Sequence, residues 1–388
     1  MNNIKPFGKH FNFTVSAIIL FLILGILADF IDKIDILYQL NLPKTNKYLK
    51  LFFLVYSLLA VAIYKFEDKS IKHKLIFIPA CFFFVFFIKA YYISEIPALV
   101  KNFFLIGTVP FFYIVKNQNL IKLQSYLLPV LKVITGINFL AILVGLIFDF
   151  QLFHTYSGNR FGFNGLLLNQ VQPTYFYTSL LFVFYKKSNI FLLICIFCGL
   201  VLGTKAFYGV FFLFSFIVAY DILKENSLAN KKKAIAIVSI SSIIALLALY
   251  LLLSSNLFSN IIFEKGLVTA FFSYRNIYLL EIINGLNSDN FNLLFGTISL
   301  PDYRSEFSFI DIVLFLGVLG LIFYVIMLKN IFRIFVNNRI GKSYFILILL
   351  IACFSGNFFS FPFNGFMFML TLLYLYTDTN RVLLTGIN

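Results

Sequence analysis

The chain has 388 residues, of which 61% are hydrophobic and 12% are charged, and its mean hydropathy is +0.94. A soluble domain carries about a quarter charged residues, so the composition excludes a water-soluble protein and predicts a single membrane domain over residues 1–388. The net charge of +15 is placed mainly between apolar segments. This placement favours a role in membrane orientation over nucleic-acid binding. The few cysteines and histidines are scattered, and they predict no metal site.

The apolar segments predict an all-α integral membrane protein. A helix that spans a bilayer needs about 20 apolar residues, and the first such run lacks a signal-peptide cleavage site. We expect about twelve transmembrane helices, with a range of roughly ten to twelve. The predicted segments are Phe11–Phe30, Leu49–Tyr64, Leu75–Ile88, Ile96–Val115, Tyr126–Phe148, Pro173–Tyr185, Asn189–Gly203, Ala206–Tyr220, Ala234–Leu253, Ile312–Leu328, Tyr344–Phe359 and Pro362–Tyr376.

The basic residues between these segments predict the orientation, because Lys and Arg in short loops resist translocation. Clusters such as Lys231–Lys233 fall on one side together with both termini, which we therefore expect to be cytoplasmic. Two long loops then lie outside, at 149–172 and 254–309. Loops this long in a compact protein are usually functional, and the second contains an amphipathic segment, Gly266–Asn284, that should fold back on the bundle.

Two cations in apolar surroundings are candidate binding residues. Lys205 follows Gly203 between two apolar runs, where it would bind an anion or would instead extend its ammonium to the membrane interface. Arg275 lies between Tyr274 and Tyr278 in the second long loop. Its guanidinium suits phosphate, and the alternative is an interfacial arginine within a tyrosine belt.

The first long loop holds a third candidate cation. Glycines and amide residues are dense around Arg160, and Asn169 follows shortly after. This composition favours a structured, re-entrant loop, although a plain solvated loop would have similar residues.

Two carboxylates precede the tenth predicted helix. Glu306 or Asp311 would serve as a general base for a hydroxyl nucleophile. The pattern Ser308-x-x-Asp311 before an apolar run also resembles a helix capping box, so capping and catalysis both stay open. A Walker loop, a dinucleotide-binding glycine motif and a nucleophile elbow are all missing from the sequence, which argues against an ATP-driven enzyme.

Taken in order, these motifs resemble the O-antigen polymerase and ligase superfamily of bacterial membrane glycosyltransferases, and in particular its Wzy-type polymerases. Lys205 stands where arginine is common, and an acidic residue stands where ligases typically have histidine, which favours a polymerase. The resemblance covers roughly residues 160–325. The stretches that carry it are Arg160-Phe-Gly-Phe-Asn-Gly with Asn169, Gly203-Thr-Lys205-Ala, Arg275 with Tyr278 and Leu293-Leu-Phe-Gly296, and Asp311 to Gly317-Val-Leu-Gly320.

The resemblance implies polymerisation of polyprenyl-diphosphate-linked oligosaccharide repeat units into O-antigen or capsule. The reaction would take place at the external face of a bacterial cytoplasmic membrane, without a metal, nucleotide or other cofactor. Lys205, Arg275 and Arg160 would bind the diphosphate, and Glu306 or Asp311 would act on the acceptor hydroxyl. The implied substrate contacts are Tyr274, Tyr278 and Asn169. The implied partners are the lipid-linked donor and acceptor, the bilayer and, as an option, a chain-length regulator, but no nucleic acid.

Three alternatives stay open. A flippase for lipid-linked oligosaccharides, or another transporter, would have internal repeats and cations within a central cavity. The sequence has no convincing repeat, and its apolar segments carry almost no charge. An O-antigen ligase and a non-catalytic membrane scaffold are the other two.

Overall fold

The computed structural model describes residues 12–92, 95–156, 161–167, 171–224, 227–286, 291–297, 305–356 and 358–377, and it is all-α apart from one short hairpin. The helices are α1 Asn12–Tyr38, α2 Thr45–Ile63, α3 Lys69–Lys72, α4 Ile78–Tyr92, α5 Ile96–Phe148, α6 Val171–Phe184, α7 Asn189–Val201, α8 Lys205–Leu223, α9 Leu228–Leu253, α10 Asn256–Phe272, α11 Arg275–Gly285, α12 Ser308–Phe335, α13 Arg339–Phe354 and α14 Pro362–Leu375. A π-helical turn, His73–Phe77, joins α3 to α4, and strands β1 Phe291–Asn292 and β2 Gly296–Thr297 form the hairpin.

Within the described residues, seven helices are long and apolar enough to cross a bilayer, which confirms a multi-pass helical membrane protein. The predicted count of about twelve is not confirmed. Helices α6, α7, α13 and α14 have only 13 to 16 residues, or about 20–24 Å at the α-helical rise. That is shorter than the roughly 30 Å hydrocarbon core, so length alone does not make them spans.

Helix α5 contains two of the predicted segments in one element. Its 53 residues would measure about 80 Å if straight, which is far more than one bilayer crossing. The backbone leaves helical geometry at Asn119, between the two predicted segments. A polar residue with a non-helical φ therefore divides α5 where the sequence predicts a loop.

The turn between α1 and α2 follows from its residues. Gln39 and Asn41 both have positive φ, a conformation that asparagine adopts more often than most residues do. Pro43 follows, and α2 begins at Thr45. The two helices then pack antiparallel, with the rings of Phe21 and Phe53 stacked at 4.1 Å.

Helices make up most of the described residues of the second long loop. The predicted amphipathic segment, Gly266–Asn284, corresponds to the second part of α10 and nearly all of α11. Gly266 interrupts α10 with a φ of +84°. Ser273 and Tyr274 are both left-handed and separate α10 from α11.

The hairpin inserts into a break in α12. Gly317 lies at the break with a φ of +69°, and a Cβ there would fall 2.2 Å from the carbonyl oxygen of Leu294. The N–H of Val318 donates to the carbonyl of Leu293 at 3.0 Å, which satisfies a donor that the break leaves without a helical acceptor. The Lys89 ammonium donates to the carbonyls of Phe295 and Phe315, so it joins α4, the hairpin and α12.

An ionic cluster joins three inter-helix turns. The Asp221 carboxylate near the end of α8 contacts the Lys186 ammonium at 2.8 Å and the Arg339 guanidinium, and it accepts a hydrogen bond from the Tyr185 hydroxyl. The shared carboxylate therefore brings together the turns between α6 and α7, α8 and α9, and α12 and α13.

Candidate functional site

Both long loops pack against the turn that precedes α8. We name this end of the bundle the long-loop face and define it by residues 149–156, 161–167, 202–205, 270–275, 305–311, 354–356 and 358. The Thr155 hydroxyl donates to the carbonyl of Leu202 at 3.1 Å. Gly203 has a φ of +70°, and a Cβ there would fall 2.2 Å from the carbonyl oxygen of Phe161. Glycine thus allows the first loop to lie directly on the turn before Lys205.

The first turn of α6 connects several parts of this face. The Gln172 side chain donates to the Asp29 carboxylate of α1. The hydroxyls of Thr174 and Thr204 lie 3.1 Å apart, and the Tyr175 hydroxyl donates to the carbonyl of Ser355 at 3.0 Å. All three α6 residues are buried, so this turn sets the relative positions of the groups around it.

The Lys205 ammonium caps the end of α10. It donates to the carbonyls of Ala270 and Phe271 and to the Ser273 hydroxyl, the last two at 2.9 and 2.8 Å. It also lies 4.1 Å from the centroid of the Phe258 ring. A cation at a helix C-terminus is favoured by the helix dipole, and these contacts bind Lys205 to the segment that leads to Arg275.

Arg275 and Glu306 form an ion pair, with 3.0 Å between Nε and Oε2. One Nη of Arg275 also donates to the carbonyl of Phe354 at 3.2 Å. The side chain of Arg275 is 19% exposed and that of Glu306 is 43% exposed, so solvent reaches the pair. The second long loop thereby contacts the C-terminal end of α13, which the sequence did not predict.

Asp311 holds the segment that contains Glu306. Its carboxylate accepts hydrogen bonds from the backbone N–H and the hydroxyl of Ser305, both at 2.7 Å. The capping box suggested by Ser308-x-x-Asp311 is not formed. That pattern requires Ser308 to precede the helix, but Ser308 is the first residue of α12. Its hydroxyl accepts a hydrogen bond from the N–H of Phe358 instead. Asp311 still stabilises the start of α12, although through Ser305.

The predicted substrate contacts are placed in part. Tyr274 precedes α11 in a left-handed conformation, and its ring centroid lies 6.4 Å from that of Tyr278, which is 47% exposed. Both tyrosines are within four residues of Arg275 in the sequence. Arg160 and Asn169 lie outside the described residues.

A second charged cluster was missed by the sequence reasoning. Asp29 and Lys33 on α1 are 1% and 8% exposed. Asp29 accepts from the side-chain amides of Asn46 and Gln172, and Lys33 donates to the side chain of Asn164 and to the carbonyl of Gly165. An ionisable residue within an apolar run is a functional candidate by default, and Asp29 within the first predicted segment was such a residue.

The arrangement suits the binding of an anion with developing charge. A partly exposed guanidinium beside a carboxylate can neutralise a leaving phosphate and can orient or accept the proton of a hydroxyl. Among the described residues, no cluster of three or more His, Cys, Asp or Glu side chains could hold a metal ion. The thiols of Cys195 and Cys198 are buried in the core and form no disulfide.

No protein-family model, curated protein or solved structure matches the chain. The helix lengths and hydropathy show a multi-pass α-helical membrane protein.

Proposed function

We propose that the protein is a bacterial membrane glycosyltransferase that polymerises polyprenyl-diphosphate-linked oligosaccharide repeat units at the external face of the cytoplasmic membrane. The observation that carries the proposal is the ion pair of Arg275 with Glu306, at 3.0 Å and open to solvent. It brings a guanidinium, a group that suits phosphate, next to a carboxylate at one end of the helix bundle. The resemblance to O-antigen polymerases supports the same chemistry.

In the proposed reaction, the hydroxyl oxygen of the acceptor sugar attacks the anomeric carbon of the donor. The bond between that carbon and the diphosphate oxygen breaks, and its electron pair stays on the diphosphate. Arg275 neutralises the charge that develops there, while the hydroxyl proton passes to Glu306. Glu306 suits this role better than Asp311, because the Glu306 side chain is 43% exposed, whereas the Asp311 carboxylate is bound by Ser305 at the start of α12.

Lys205 supports the proposed site through the backbone. It binds the last carbonyls of α10 and so fixes the segment from which Arg275 projects. Its positive charge also adds to the potential at the long-loop face, which would attract a diphosphate.

Complementation of a deletion strain tests the proposal. We expect Arg275→Ala to abolish long polysaccharide chains at a protein level equal to wild type, and Lys205→Ala to shorten them. Lys265→Ala is the control, because Lys265 is an exposed cation on α10 with no role in the proposed site. Chains of normal length in both site variants would refute the proposed site.

Reporter fusions test the orientation. A reporter at Asn230, at the start of α9, should be cytoplasmic, and one at Asn256, at the start of α10, should be external. The reverse result would place the long-loop face in the cytoplasm and would contradict external polymerisation.

A transporter of lipid-linked oligosaccharides is the second candidate, and the buried charges Asp29 and Lys33 favour it, since such residues mark transport pathways in many membrane proteins.

The phenotype of a deletion strain distinguishes these candidates. Loss of a polymerase leaves single repeat units on the cell surface, loss of a flippase leaves none, and loss of a ligase leaves polymer attached to the polyprenyl lipid.

A further inference from the structure

We propose that Glu306 is an exchangeable counter-ion of Arg275: the diphosphate of the donor displaces its carboxylate, which then turns to the acceptor hydroxyl. This inference rests on the proposed function and assigns an order to its steps. Donor binding releases the group that acts on the acceptor, so the acceptor is engaged only after the donor.

The geometry leaves room for the exchange. Glu306 contacts the guanidinium through a single pair, Oε2 to Nε, and the Phe354 carbonyl takes one Nη. Within the described residues, the other Nη of Arg275 donates no hydrogen bond. A phosphate that took this Nη together with Nε would form the bidentate contact that a guanidinium favours, and it would have to replace Oε2 at Nε.

The carboxylate can leave at small cost. Its side chain is 43% exposed, so water solvates it when the contact opens, and ion pairs open to solvent contribute little to stability. A diphosphate carries more negative charge than a carboxylate, and it offers several oxygens to the same guanidinium. The competition at Arg275 therefore favours the diphosphate.

The backbone around the pair is fixed, and this confines the movement to one side chain. Ser305 is buried and bound to Asp311 on one side of Glu306. On the other side, a Cβ at Gly356 would lie 2.2 Å from the carbonyl oxygen of Glu306, which shows how closely the two backbones pack. The released carboxylate consequently stays within side-chain reach of the bound diphosphate.

Arg275 is also held in place without Glu306. The Phe354 carbonyl keeps its bond to one Nη, and the next carbonyl, that of Ser355, is held by the buried Tyr175 hydroxyl. Lys205 already donates three hydrogen bonds at the end of α10. The diphosphate therefore competes directly with the Glu306 carboxylate for the Arg275 guanidinium.

The test is the binding of farnesyl diphosphate, a short polyprenyl diphosphate, to the purified full-length protein in detergent. We expect Glu306→Gln to bind it about three- to fivefold more tightly than wild type, which corresponds to the loss of an exposed ion pair. The control is Glu281→Gln on α11, an exposed residue whose change alters the net charge equally. It should change affinity less than twofold.

A double-mutant cycle locates the effect. In an Arg275→Gln background, Glu306→Gln should no longer tighten binding, because the competition is for that guanidinium. The thermal unfolding midpoint of each variant verifies that it is folded.

The outcomes separate the two proposals. If wild type binds farnesyl diphosphate through Arg275 but Glu306→Gln binds no more tightly than Glu281→Gln, the exchange is refuted and the proposed function stands. If wild type and Arg275→Gln bind equally weakly, the diphosphate site is refuted, and the exchange with it. Equal tightening by both glutamine variants would show a general charge effect and would also refute the exchange.

Discussion

Two pairs of charged residues lie toward the long-loop end of the bundle, and they are stabilised in opposite ways. Asp29 and Lys33 are buried, and their hydrogen-bond partners are neutral amides and carbonyls. Arg275 and Glu306 are partly exposed and bind each other. The comparison indicates that the first pair is a fixed part of the fold, whereas the second is open to exchange with a ligand.

The difference follows from desolvation. A charge taken out of water needs several hydrogen bonds to offset the lost hydration, and removal of one partner leaves the others uncompensated. A charge that remains in contact with water loses much less when its partner leaves. Burial therefore predicts that loss of a partner lowers stability strongly at Asp29 and Lys33 and only weakly at Arg275 and Glu306.

The largest expected effect is that of Asp29→Ala. It removes the carboxylate that accepts from Asn46 and Gln172 and interacts electrostatically with Lys50, so we expect the free energy of unfolding to fall by about 3–5 kcal/mol. Denaturant titration in detergent measures it. Glu264→Ala is the control, since Glu264 is an exposed residue of α10 and its loss should cost less than about 1 kcal/mol. If Asp29→Ala and the control lowered the free energy of unfolding equally, burial would not distinguish the two charged pairs.

Lys33→Met should have the next largest effect. The methionine keeps most of the apolar stem but leaves the acceptors on Asn164 and Gly165 without a donor, which should cost about 1–3 kcal/mol. Lys265→Met, at an exposed position of α10, is the matched change. A smaller loss at Lys33 than at Lys265 would show that the buried ammonium does not stabilise the first loop.

Glu306→Gln should lower stability by less than about 1 kcal/mol, because the ion pair that it breaks is open to water. The same titration measures this change. A loss as large as that of Asp29→Ala would mean that Glu306 is a fixed structural residue, contrary to the proposed exchange.

The smallest expected effect is the coupling between the two regions. Asp29 and Glu306 share no hydrogen-bond partner within the described residues, so the losses in Asp29→Ala and Glu306→Gln should add to within about 0.5 kcal/mol in the double variant. A larger coupling would mean that the first turn of α6, which contacts both regions, transmits a change from one to the other.

The positions of most helices could be predicted from the sequence, because long apolar runs have no stable place in water. Ile96–Val115 and Tyr126–Phe148 were predicted as separate helices, and the kink at Asn119 lies between them. The number of membrane crossings was harder to predict. An apolar run of 13 to 16 residues is long enough to form a buried helix, but it is shorter than the roughly 20 residues that a bilayer crossing needs.

The candidate site was predicted as separate residues. Lys205, Arg275 and Glu306 stood out as charges next to apolar runs, but the partner of each lies far away in the chain. The backbone carbonyl of Phe354, which binds Arg275, could not be predicted from the sequence, because every residue has a backbone carbonyl. Asp29 could have been selected from its apolar surroundings, whereas its partners Asn46 and Gln172 could not.

The sequence by itself determined that this protein is a bundle of apolar helices in a membrane, because composition decides which solvent a chain can face. The tertiary structure decided which charges meet, because hydrogen bonds between distant segments depend on how the helices pack. The left-handed conformations at Gly203 and Gly317 allow loop backbone to lie directly against the helices there. Those close contacts help to build the long-loop face, where Glu306 meets Arg275 while Asp29 is held by neutral amides.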